Sequence, residues 1–235
     1  MLKYYNIYVK ELKRVRDEEP HTSHGGLWKY FFKWKKLSSG NSVDAKLPWI
    51  SFPVIDFLER ILKPDSKVFE YGGGGSTLFF TERSGEVITI EHNKEWFGIL
   101  TNKVTRKDNW KGNFIESEPA NNYTLEQATD PDKYFSTDKE FVNRSFYKYA
   151  TFIDQYPDNY FDVVLIDGRA RPSCIKHGLP KIKQGGYLIV DNADRPYYTE
   201  QFKNVLKEQY EEVINFSGPT PFCSWFNLTG VWRKK

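Results

Sequence analysis

The 235-residue sequence is poor in cysteine, with only Cys174 and Cys223. Two thiols exclude a disulfide-built scaffold and a cysteine-based zinc site. The sequence also has little net charge. Its 34 Lys and Arg against 31 Asp and Glu leave +3, so no charge excess forces a nucleic-acid partner. No stretch approaches the ~20 apolar residues of a membrane span. Met1 to Arg16 is charged and aromatic and lacks the apolar segment of a signal peptide. These absences predict a cytoplasmic protein with no membrane span and no nucleic-acid partner. What is present is apolar: 39% hydrophobic and 17% aromatic residues, enough for one sizeable core.

Residues 1–47 show no regular pattern and read as an irregular N-terminal extension, aromatic and basic. Within it, Trp28 to Lys36 interleaves aromatics with lysines. Such a stretch can face an anionic or sugar-bearing partner. It can also be a helix that buries its rings on the main domain and leaves lysines in water, and the snorkelling of lysine stems favours this.

Residues 48–235 read as the main domain. Apolar residues at helical spacing predict a helix from near Phe52 to Leu62, with Pro53 in its first turn. Strands are expected at 67–71, 86–91, 113–116, 160–166, 186–190, 211–216 and 224–233, with helices between the first six. The polar stretch 118–145 reads as an inserted loop or lid. Alternating strands and helices imply right-handed crossovers and a parallel sheet. The last two strands have no helix between them and must return antiparallel. The expected fold is α/β and doubly wound, a mostly parallel seven-stranded sheet with an antiparallel last strand.

The densest chemical signal is Glu70-Tyr71-Gly72-Gly73-Gly74-Gly75-Ser76-Thr77, at the end of the first strand. Glycines at a strand-to-helix turn let a ligand approach the backbone. Glu70 can hold the ammonium of a methionine moiety and would repel a pyrophosphate. Thr77 stands where a dinucleotide fingerprint has its third glycine. Glu91 ends the next strand, where a carboxylate accepts both hydroxyls of an adenosine ribose. The bland alternatives are a capping or salt-bridged Glu70 and a solvated Glu91.

Val68 to Thr77, followed by Ile88-Thr89-Ile90-Glu91-His92-Asn93, resembles motifs I and II of the class I S-adenosylmethionine-dependent methyltransferases. The resemblance runs from the helix after Pro48 to Arg233. It implies a Rossmann-like methyltransferase fold and S-adenosylmethionine as cofactor. The implied cofactor residues are Glu70, Tyr71, Gly72, Gly73, Gly74, Ser76, Thr77, Glu91, His92 and Asp167. Glu116 or Ser117 would lie near the adenine. Ser76 departs from the usual last glycine of motif I, and its hydroxyl can also donate to a ligand.

Asp167 ends one apolar strand and Asp191-Asn192 ends the next. Ligands of open parallel sheets sit beyond such strand ends. Asp167, Asp191 and Asn192 offer hard oxygen ligands suited to Mg²⁺ or another divalent cation. They resemble the metal triad of the cation-dependent catechol-type O-methyltransferases. Without a metal, these acids cap a helix or hold substrate, and Asp167 or Asp191 is the candidate general base. His92 and His177 are alternative bases. Arg169 and Arg171 can bind an acidic or phosphorylated acceptor, or pair with Glu70, Asp191 or Asp194.

The segments 167–171 and 191–196 resemble those of bacterial methyltransferases linked to glycan or secondary-metabolite pathways. The implied activity is O-methylation of a small-molecule or glycan acceptor. The position after Asp167 reads Gly168-Arg169-Ala170, not the Pro-Pro-aromatic of nucleic-acid amino-methyltransferases. Two other readings stay open: an NAD-dependent oxidoreductase, and a non-catalytic protein that binds the cofactor or a partner. Oligomeric state is not legible.

Overall fold

The computed structural model describes residues 1–20, 22, 24–121 and 123–235. His21 and Ser23 of the extension and Asn122 of the insertion lie outside the described residues. Seven strands build the main sheet: β1 Lys67–Tyr71, β2 Glu86–Glu91, β3 Trp110–Phe114, β4 Phe161–Ile166, β5 Ile182–Asp191, β6 Tyr210–Ile214 and β7 Phe226–Lys234. Their order is β3-β2-β1-β4-β5-β7-β6. Pairs from β3 to β5 are parallel. β7 runs antiparallel to both its neighbours. The expected sheet is the observed one. A three-residue strand, Ser217–Pro219, additionally pairs with the start of β7.

Strand register places the site. Tyr71 lies beside Ile90 and Ile166, and Ile166 beside Val190. The next residue of each strand therefore falls into one row along the carboxyl edge: Glu91, Gly72, Asp167 and Asp191. The chain leaves β1 in one direction and returns to β4 on its other side. Such a reversal opens a crevice at the strand ends.

Alternate residues of the buried strands feed opposite faces. Val68, Val87, Val163, Leu165 and Ile189 join one core, together with Phe79 and Phe80 of the helix Gly75–Thr81. Phe69, Tyr71, Ile88, Ile90, Val164 and Ile166 join the other. Among the described residues the α-helices longer than four residues are α1 Leu2–Glu18, α2 Phe31–Leu37, α3 Phe52–Ile61, α4 Gly75–Thr81, α5 Lys94–Lys103, α6 Tyr147–Thr151, α7 Arg171–Gly178 and α8 Lys203–Gln209.

The N-terminal extension is not irregular. α1 packs Tyr8 and Val15, and α2 packs Trp34, into the core that holds Phe52 and Ile55. The Trp34 indole donates to the Cys223 carbonyl at 3.0 Å. Glu11 accepts the Phe226 backbone N–H at 2.9 Å, and Arg14 donates to the Phe226 carbonyl at 2.9 Å. These bonds fasten α1 to the start of β7. Within Trp28–Lys36, Tyr30, Phe31 and Trp34 bury their rings in this core, while Trp28 and Phe32 stay exposed.

Other elements depart from expectation, and β5 starts four residues earlier than read. β3 starts three residues earlier than read. It is an edge strand, paired only with β2, and its half-exposed residues make no apolar run. The insertion 118–145 carries a small ladder, Glu118–Pro119 with Arg144–Ser145. Among the described residues no helix is long and apolar enough to cross a membrane.

Candidate active site

The glycine loop is built by close approach. Gly72 has φ +88, and a Cβ there would lie 2.9 Å from the Asp167 carbonyl oxygen. A Cβ on Gly73 would meet Leu100 at 2.5 Å. At Gly72 only glycine lets β1 and β4 come this near. Beneath the loop, Thr77 receives the Gly74 N–H at 3.0 Å and donates to Glu70 Oε2 at 2.6 Å. Thr89 donates to the same oxygen at 3.0 Å. Thr77 thus ties the loop to the buried acid.

Glu70 is fully buried, and its Oε1 has no hydrogen-bond partner. Burial pushes its carboxyl up to about 7, against the lowering effect of the Ser76, Thr77 and Thr89 hydroxyls. The Tyr71 ring points into the opposite core, and its hydroxyl donates to the Ala150 carbonyl at 2.6 Å.

A cleft of about 570 Å³ opens over the loop. Gly72 to Ser76, Glu91, His92, Asp167, Arg169, Arg171, Asp191 and Asn192 line it. Glu70, Tyr71, Thr77, Glu116 and Ser117 do not. Glu91 accepts N–H bonds from Gly73 (3.0 Å), His92 (2.8 Å) and Asn93 (2.7 Å). This fixes a carboxylate at the end of β2, facing the cleft. The Trp96 indole donates to the Gly73 carbonyl at 2.6 Å and supports the loop from α5. Glu116 is turned to solvent, 3.7 Å from Arg144, and Ser117 accepts Arg144 Nε at 3.0 Å. Both residues contact Arg144 of the insertion and lie outside the cleft lining. His177 lies away from the cleft, 2.8 Å from Asp154.

The acids at the ends of β4 and β5 surround Arg171. Its guanidinium donates to Asp167 Oδ1 (2.9 Å), Asn192 Oδ1 (3.0 Å), the Gly168 carbonyl (3.1 Å) and the Asp191 carbonyl. It also lies 3.8 Å from Asp191 Oδ2. The other Asp191 oxygen accepts from Thr229 at 2.8 Å and Asn227 at 3.1 Å. Of the two roles expected for Arg171, it takes the ion pair and leaves little for an acceptor.

The same geometry bears on the expected metal triad. Asp167 Oδ1 and Asn192 Oδ1 already accept from the guanidinium, and a cation among them would meet a fixed positive charge. The donor set does not fit a divalent ion.

Burial, and then the neighbouring Asp191 charge, raise the Asp167 carboxyl well above the usual range, with Arg171 opposing. Burial also raises Asp191, again opposed by Arg171. A half-buried carboxyl and a buried one beside a single guanidinium form a unit that holds a proton readily.

A second cleft, of about 360 Å³, continues beyond this centre. It shares Arg169, Arg171, Asn192 and Arg195 with the first. Its far wall is the insertion, from Phe135 to Asp138. Arg169 reaches across, 3.4 Å from Asp138 and 5.2 Å from the Phe141 ring centre. Sequence reading gave no role to Asp138 or Phe141, because a polar insertion has no period to single them out. It also missed Trp49, Trp225 and Asn227, which rim the first cleft. Trp49 and Trp225 are about half exposed there.

No family model matches the sequence, and no curated protein matches it. The fold does have solved counterparts. One is an O-methyltransferase from Bacillus cereus in complex with SAH, 15% identical, with a TM-score of 0.52, covering 95% of this chain and 96% of that one. Another is a candidate rRNA methylase from Clostridium thermocellum, 13% identical, with a TM-score of 0.51, covering 76% of this chain and 92% of that one. The chain has the Rossmann-like methyltransferase fold.

Proposed function

We propose that the protein is an S-adenosylmethionine-dependent methyltransferase acting on an oxygen of a small molecule or glycan. The row of Glu91, Gly72, Asp167 and Asp191 along one cleft carries this reading. Glu91 suits a ribose diol. The glycine loop leaves room for a methionine moiety, above an acid whose Oε1 lacks a partner. A dinucleotide fits less well, because side chains already take the Gly73 and Gly74 N–H groups that a diphosphate would use.

Gly72 to Ser76 and Glu91 would hold the cofactor, which would supply a sulfonium-borne methyl group to the acceptor oxygen and be left as a neutral thioether. The chain's own residues do the rest. Asp167, held by Arg171, accepts the acceptor's hydroxyl proton. Asp191, fixed by Thr229 and Asn227, tunes its basicity. Trp49 and Trp225 flank the entrance and can stack on a planar or sugar acceptor. Positioning two reactants in one cleft supplies much of the rate. No divalent cation enters this mechanism.

Methyl transfer from labelled S-adenosylmethionine into phenolic, glycan and RNA acceptors tests the reading. Label is expected in a phenolic or glycan acceptor. Label in RNA alone would contradict the acceptor class. Tight cofactor binding without any transfer would favour the non-catalytic alternative.

A further inference from the structure

We infer that the second cleft is an anion subsite, which receives a phosphate or carboxylate group carried by the acceptor. That the anion belongs to an acceptor rests on the methyltransferase reading; that an anion binds does not. The cleft is lined by three arginines, Arg169, Arg171 and Arg195, and by one carboxylate, Asp138. Arg171 is neutralised by Asp167 and Asp191. The unbalanced charge therefore lies with Arg169 and Arg195 against Asp138.

Both arginines have capacity left. The Arg169 Nε is buried without a hydrogen-bond partner. A buried donor in that state lacks the bond it made to water, and a ligand oxygen would restore it. The hydrogen-bond partner of Arg195 is neutral: it donates to the Tyr198 hydroxyl at 3.0 Å. Among the described residues its guanidinium makes no ion pair within 4.0 Å.

Tyr198 reports the field. Burial alone would raise its phenol, yet Arg171, a Thr137 hydrogen bond and Arg195 together hold it below its ordinary value. Phenolate and ligand anions answer to the same positive potential. Planar guanidiniums also suit the paired oxygens of phosphate and carboxylate. The shared Arg169, Arg171, Asn192 and Arg195 make the two clefts continuous, so one acceptor can place its anion here and its hydroxyl at Asp167.

Calorimetry on the full chain at fixed ionic strength tests this, with inorganic phosphate, D-glucuronate and D-glucose as probes. At least one anion should bind, and glucose should not. Arg195→Gln should weaken the anion about tenfold or more, as expected for a lost charged hydrogen bond, and Arg195→Lys should restore part of it. Binding of phosphate alone assigns a phosphorylated acceptor, and of glucuronate alone a carboxylated one. The subsite is overturned if neither anion binds, or if Arg195→Gln and Arg169→Gln both leave the affinity unchanged. S-adenosylhomocysteine titrated into the same samples separates the two readings. Its binding without either anion removes the subsite alone. Anion binding without it removes the cofactor reading and leaves the subsite standing.

Discussion

Replacing Arg171 with methionine is expected to destabilise the fold by about 3–5 kcal/mol at pH 8, the typical effect of breaking a buried ion pair. The side chain is buried and donates to four acceptors at the ends of β4 and β5. Methionine fills similar volume and leaves Asp167 and Asp191 facing each other without a counter-charge. The loss should shrink as pH falls. Both carboxyls already sit above their ordinary values, through burial foremost. Removing the guanidinium, which opposes that rise, lifts them further. At low pH the pair is protonated in folded and unfolded variant alike, and only the lost hydrogen bonds remain. Urea denaturation at pH 8 and pH 5 measures both. A loss under about 1 kcal/mol at pH 8, where a buried pair should dominate, would show that Arg171 is not the counter-ion of this centre.

Asp167→Asn should lower kcat by about 10²–10⁴, the usual contribution of a positioned general base, while S-adenosylhomocysteine still binds. In the unsubstituted enzyme, kcat/KM should rise with pH along a limb above the ordinary carboxyl range. The reason is that burial and Asp191 hold the proton on Asp167. Asp191→Asn removes the like charge and should move that limb to lower pH. An active Asp167→Asn enzyme, or a flat profile, would assign the proton transfer elsewhere.

Much of this was readable from sequence where a strong local pattern existed. The apolar strands β1, β2 and β4 end in Glu70-Tyr71-Gly72, Glu91 and Asp167, and period-two burial makes such runs conspicuous. Helix-free connection of β6 and β7 sufficed for the antiparallel return. α1 escaped because its inward face is mixed: Tyr8, Glu11 and Val15 are buried, and Glu11 is there for the Phe226 N–H and Arg14. A buried acid at a helix interior erases the apolar stripe that sequence reading follows.

At the site, residue types were legible, and the pairing of Arg171 with Asp191 was one of the open readings, but the full set of partners was not. Asp167, Asp191 and Asn192 offer the same oxygens to a cation or to a guanidinium. Only the return of α7 onto the strand ends shows that Arg171 is the one they hold. Glu116 and Ser117 were assigned by position after β3, yet the insertion draws them to Arg144. Long-range pairing of this kind leaves no local trace.

The central claim is that the β1 loop and Glu91 hold an S-adenosyl cofactor. Calorimetry with S-adenosylhomocysteine and NAD, on the unsubstituted protein and on Glu91→Ala, tests it most directly. S-adenosylhomocysteine should bind and NAD should not. Glu91→Ala should weaken that binding by about 1–3 kcal/mol, the range for lost charged hydrogen bonds. NAD binding without S-adenosylhomocysteine binding, or an affinity indifferent to Glu91→Ala, would contradict the account.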